Sequence, residues 1–136
     1  MQHIDTTAQL LALAQQGSDR TGSPAQCGCR LSNFAGWDSM PDSRWPAEQM
    51  EQIASLRTPD APEPTFTEYH PHGTRYDSPD APIALTYFPT NRATVWRCRT
   101  CGLQMLRYTE FGGYYIDHRA RVLDARLVQD APTLAA

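Results

Sequence analysis

Leu10, Leu11, Leu13 and Ala14 recur at helical spacing. They predict a first helix from Thr6 or Thr7 to Gln16, capped by Asp5 or Thr6 and stopped by Gly17. Residues 17–45 mix turn formers with isolated Leu31, Phe34, Trp37 and Trp45, the pattern of a loop that packs by a few anchors. Pro46 in the favoured first helical position, followed by Met50, Ile53, Ala54 and Leu56, predicts a second helix from about Pro46 to Arg57. Residues 59–82 hold six of the eleven prolines, with Phe66 to His70 as a short edge strand. Proline cannot donate to a central ladder, so this stretch is expected along an edge or over a surface. The last third reads as an antiparallel meander: Ile83–Phe88, Ala93–Cys98, Leu103–Phe111 and Tyr114–Val122. Its turns fall at Pro89–Arg92 and at Gly112-Gly113, and Leu123–Val128 forms a short final helix.

These elements sum to an α+β fold: an antiparallel sheet of about four strands, two helices and a long proline-rich loop. The length of 136 residues fits a single domain over 1–136. No apolar run approaches the roughly 18 residues of a membrane span, and the N-terminus has no basic start, so a cytoplasmic location is expected.

All twelve basic residues are arginine. The lack of lysine excludes Schiff-base and P-loop lysine chemistry, and with the many prolines and alanines it reads as a high-GC bacterial sequence. The net charge of -3 is unevenly spread, with the first 91 residues acidic and residues 92–126 basic. The basic third could face an anionic partner or the acidic front of the chain itself.

The four cysteines fall in two close pairs, Cys27-Gly28-Cys29 and Cys98-Arg99-Thr100-Cys101-Gly102. A short spacing lets a turn present two thiolates to one metal, and a glycine after the second cysteine relieves crowding as backbone amides turn toward the sulfurs. The second pair lies between two strand patterns. From Ala93 to Tyr108 it resembles the knuckle of zinc-ribbon proteins. The first pair departs from that pattern, with one residue between its cysteines instead of two, so the resemblance implies metal ligation and not a zinc-ribbon function. Cys27, Cys29, Cys98 and Cys101 are the expected ligands of a structural Zn2+, with iron as the variant, tying the Cys27 loop to the sheet. Arg30, Arg97 and Arg99 flank them and would offset the excess negative charge. Disulfides do not suit a chain without an export signal, and a redox pair would open a helix where this one precedes a strand.

His70-Pro71-His72 lies upstream of the second pair, as a histidine does in zinc deaminases. Gly73 and Thr74 follow where the catalytic glutamate would stand, and Arg97 replaces the proline before Cys98. Asp117 and His118 are strand neighbours and point to opposite faces. Alternation puts Tyr115, Asp117, Arg119 and Arg121 outward and Ile116, His118 and Val122 toward the core, with His118 a core histidine. No nucleophile elbow or phosphate loop occurs.

With no convergent acid, base and nucleophile, the chain reads as a non-enzymatic small zinc-binding protein that recognises another protein, of the immunity, inhibitor or regulatory adaptor type. Tyr115, Arg119 and Arg121 are its candidate partner-binding residues. The alternative is a nucleic-acid-binding module using the basic, aromatic sheet face of Trp96, Arg97, Arg99, Arg107, Tyr108, Tyr115, Arg119 and Arg121. A metal-dependent enzyme is the third reading.

Overall fold

The computed structural model describes residues 2–18, 26–57 and 65–131. Helix α1 spans Thr7–Ser18. Its start is a capping box: the Thr6 hydroxyl accepts from the Gln9 amide at 3.2 Å, and the Gln9 side chain accepts from the Asp5 and Thr6 amides at 2.8 and 3.1 Å. The expected cap is therefore in place, and the helix runs through Gly17 to Ser18.

The strands are β1 (Gln2–His3), β2 (Asp38–Ser39), β3 (Met50–Ser55), β4 (Thr94–Cys98), β5 (Gln104–Phe111) and β6 (Ile116–Val122). They form one six-stranded sheet in the order β1-β3-β4-β5-β6-β2. β1 joins β3 in parallel and every other pairing is antiparallel, so the sheet is mixed.

This overturns the expected sheet of about four antiparallel strands with two helices. The second helix, from Pro46 to Arg57, does not form: residues 46–49 are a turn and β3 follows. The reason is a bulge. Positions four apart on a regular strand share a face, but the register shifts between Gln52 and Ala54, sending Met50 and Ala54 into different cores. That irregular apolar spacing imitates a helix. An isolated helix of about twelve residues is marginal in any case, and the ladder with β4 prevails.

Ile83–Phe88 is not a strand either. Ile83 makes an isolated bridge to Val128, and Ile83, Ala84, Leu85 and Tyr87 are all buried within an irregular segment. A continuous apolar run signals burial on all sides without specifying a strand. The proposed strand at 66–70 is irregular, and the final helix shrinks to a 3-10 turn at Ala125–Leu127. β4, β5 and β6 match the expected meander closely.

The sheet carries a core on each face. One joins Leu10, Leu13 and Ala14 of α1 to Trp37, Ile83, Val95, Leu106 and Tyr108. The other gathers Leu31, Phe34, Met40, Trp45, Met50, Leu103 and Met105 around Cys29, Cys98 and Cys101. No helix of the described residues is long and apolar enough to cross a membrane.

The loop before β2 packs backbone to backbone against residues 77–78. A Cβ added to Gly36 would lie 2.3 Å from the Asp77 carbonyl oxygen, whereas nothing lies within 4 Å of one added to Gly113. Gly36→Ala is expected to cost about 1–3 kcal/mol in urea unfolding, and Gly113→Ala less than about 0.5 kcal/mol.

Candidate metal centre

The second cysteine pair sits where β4 turns into β5. The Cys98 amide donates to the Leu103 carbonyl at 2.9 Å, and the Gly102 amide donates back to the Cys98 carbonyl at 2.9 Å. Gly102 has φ 79°, a conformation that glycine adopts without strain. The first pair makes a similar turn, in which the Arg30 amide donates to the Cys27 carbonyl at 3.2 Å. Arg30, the residue after its second cysteine, also has positive φ, at 58°. Both pairs thus end in a left-handed residue, once as glycine and once at the cost of a side chain in an unfavourable region.

These turns bring the four sulfurs together. All lie within 4.8 Å of one another, Cys27 to Cys98 at 3.8 Å and Cys29 to Cys101 at 3.9 Å. Three of the cysteines are buried and Cys27 is half-buried. Burial pushes the Cys29 thiol up to about 12 and raises Cys101. At Cys98 burial also opposes the thiolate, but the amides of Cys101 and Thr100, with the Cys101 and Cys27 thiols, outweigh it and draw the thiol down to about 7. The donor set is one that could hold a soft or borderline metal ion such as zinc.

Of the flanking arginines, Arg30 and Arg99 are exposed beside the cluster. Arg97 alternates away from Cys98 and pairs with Glu51 at 3.3 Å. The histidines stand apart from the sulfurs. His70 bonds Glu68 at 2.9 Å and Thr74 at 2.8 Å, and His72 is exposed. His118 is half-buried and not a core residue: it bonds the Thr109 hydroxyl at 2.9 Å and faces Asp42 at 3.5 Å.

The candidate partner-binding residues separate. Tyr115 is exposed, but Arg121 is 1% exposed, with its guanidinium donating to the Ala81 carbonyl at 3.1 Å. Burial lowers its pKa to about 10, which keeps it charged at neutral pH. The expected outward face of β6 is therefore corrected at this end, because a sheet covered on both faces buries both sets of alternating residues. Arg119 is half-buried, donating to Asp117 at 2.8 Å and ion-paired with Glu110 at 3.0 Å. The basic face proposed for nucleic acid is likewise occupied from within. Arg107 stacks 4.5 Å from the Trp45 ring and pairs with Asp42 at 3.0 Å.

Sequence reasoning missed the paired hydroxyls of Tyr76 and Tyr108, one from the proline-rich stretch and one from β5, beside Arg119. Burial raises both phenols. Tyr76 carried no local signal of this role.

Comparison with protein-family models, curated proteins and solved structures returned no match.

Asp117 links β2 to β6 through the Ser39 hydroxyl, and this bond together with Arg119 holds its carboxyl below the usual 3.8. A depressed folded-state pKa contributes stability above the unfolded value that is lost as pH falls through the folded value. Asp117→Asn should therefore destabilise the protein at pH 6–7, and thermal unfolding should show the difference shrinking once pH falls below about 4.

Proposed function

We propose that the chain is a small non-enzymatic protein, held together by a structural zinc ion on Cys27, Cys29, Cys98 and Cys101, that acts by recognising another protein. The observation that carries the metal reading is the sulfur geometry. Zinc–thiolate bonds of about 2.3 Å in a tetrahedron require sulfur–sulfur edges of about 3.8 Å. Cys27–Cys98 and Cys29–Cys101 stand at 3.8 and 3.9 Å, and all four sulfurs lie within 4.8 Å of one another. Four protein sulfurs fill a tetrahedron and leave no open position for substrate, which is the character of a structural site. Unoxidised thiols on a metal suit a reducing, cytoplasmic compartment.

Protein recognition is favoured over nucleic acid because Arg107, Arg119 and Arg121 are engaged within the fold, while large apolar side chains stand exposed at the β5–β6 turn. An immunity, inhibitor or adaptor role fits such a surface.

Native purification is expected to yield one zinc per chain by elemental analysis, without the visible absorption of iron–thiolate. Thiol reagent at neutral pH should react fully only after a chelator removes the metal, since bound thiolates are shielded by it. Four freely reactive thiols in a folded, metal-free protein would overturn the reading. Cys98→Ser should remove much of a contribution on the order of 10 kcal/mol and leave little cooperative thermal unfolding. His72→Ala should unfold close to the unmodified protein.

A further inference from the structure

We propose that the cavity at the C-terminal end of α1 is a binding site for a small uncharged ligand bearing an amide edge, read by the side chain of Gln104. The proposal goes beyond the protein-recognition reading and does not depend on the metal.

The cavity has a volume of about 460 Å³ and lies between the last turn of α1, the start of β5 and the 3-10 turn at Ala125–Leu127. That falls within the roughly 300–1,000 Å³ of small-molecule sites. Ala14, Pro79, Leu123 and Leu127 give it apolar walls. Gln104 also lines it, and its polar end stands out: the residue is 3% exposed, and among the described residues nothing donates to its Oε1. Buried polar atoms are nearly always paired, because an unpaired one has lost its hydration without compensation. Gly17 makes the room for this carboxamide. A Cβ there would stand 2.9 Å from Oε1 and 3.0 Å from Cδ. Glycine within a helix is unfavourable relative to alanine, and here its missing side chain is what admits the Gln104 side chain beside the cavity.

The lining chemistry selects the ligand. Oε1 needs an N–H or O–H donor. The last turn of α1 carries no basic residue, so the partial negative charge of the helix end adds to the preference for a donor. An ion is disfavoured, because the charged residues in the lining, Asp124 and Arg126, pair with each other at 2.8 Å. A carboxamide presents an acceptor and donors side by side. Its closest complement is therefore a second amide, whose N–H meets Oε1 while its carbonyl faces the Gln104 amino group, with an apolar body against Leu123 and Leu127. Primary amides and ring lactams share that edge. Gln104 opens β5 and the exposed Phe111 ends it, so this site and the apolar hairpin tip are separate surfaces.

Titration of the isotope-labelled protein with benzamide, followed by amide chemical shifts, tests this. Saturable shifts at Gly17, Gln104 and Leu123 are expected, with a Kd of about 1 mM or tighter. Acetophenone has the same shape and carbonyl but no N–H, and should bind about tenfold more weakly, the worth of one buried hydrogen bond. The benzamidinium cation should be weaker than benzamide as well. Uracil carries the same edge in a ring: tighter binding of uracil assigns the site to ring lactams, and tighter binding of benzamide assigns it to primary amides. Gln104→Met keeps the volume and removes the unpaired group, so it should unfold no earlier than the unmodified protein and lose about tenfold in benzamide affinity. The acetophenone comparison uses the unmodified protein and decides the hydrogen bond whatever the stability of that variant. No saturable shift with benzamide or uracil up to about 10 mM, equal binding of acetophenone, or unchanged benzamide binding by folded Gln104→Met would overturn the proposal.

Discussion

Two short cysteine turns that are far apart in sequence converge on one point, where all four sulfurs lie within 4.8 Å of one another. Residues 26–46 contribute only the two-residue β2 to the sheet and otherwise hold position through isolated anchors such as Phe34, Met40 and Trp45. The Cys27 and Cys29 sulfurs at one end of this segment meet those of Cys98 and Cys101 at the β4–β5 turn. The Met40 amide fastens the other to the His118 carbonyl at 2.7 Å. Just past the second tie, Asp42 and Trp45 reach Arg107 and cover one face of the sheet. A segment that makes so few ladder hydrogen bonds has little of its own to offset the entropy of ordering it.

The sheet has to serve two cores, and the β3 bulge is how one strand supplies both. Met50 packs beside Cys98, its register partner, and Ala54 packs with Val95 on the α1 side. Without the extra residue, Met50 and Ala54 would fall on one face and one core would lose a member.

The arginines follow the same economy. Arg107 lies between Asp42 and the rings of Trp45 and Trp96, Arg119 joins Asp117, Glu110 and Tyr76, and Arg121 is enclosed against Ala81. A planar guanidinium can stack and donate in several directions at once, which an ammonium cannot. Arg107, Arg119 and Arg121 are thus taken up inside the molecule, while the tip of the β5–β6 hairpin leaves Phe111, Tyr114, Tyr115 and Ile116 exposed.

The sequence by itself determined the features whose signals are local. Thr6 and Gln9 specify the start of α1, two strand patterns around a glycine-flanked turn specify β4 and β5, and the close spacing of each cysteine pair specifies a turn that presents sulfurs. Only the tertiary structure decided what depends on partners distant in the chain. Residues 50–55 became a strand because β4 offers them a ladder, and Ile83–Tyr87 became a buried irregular segment because its neighbours are side chains on all sides. Arg121 was buried because a second layer covers the face that alternation alone would leave to solvent. Alternation tells which residues share a face of a strand, but whether that face meets water is set by what packs over it, and no spacing within β6 contains that information.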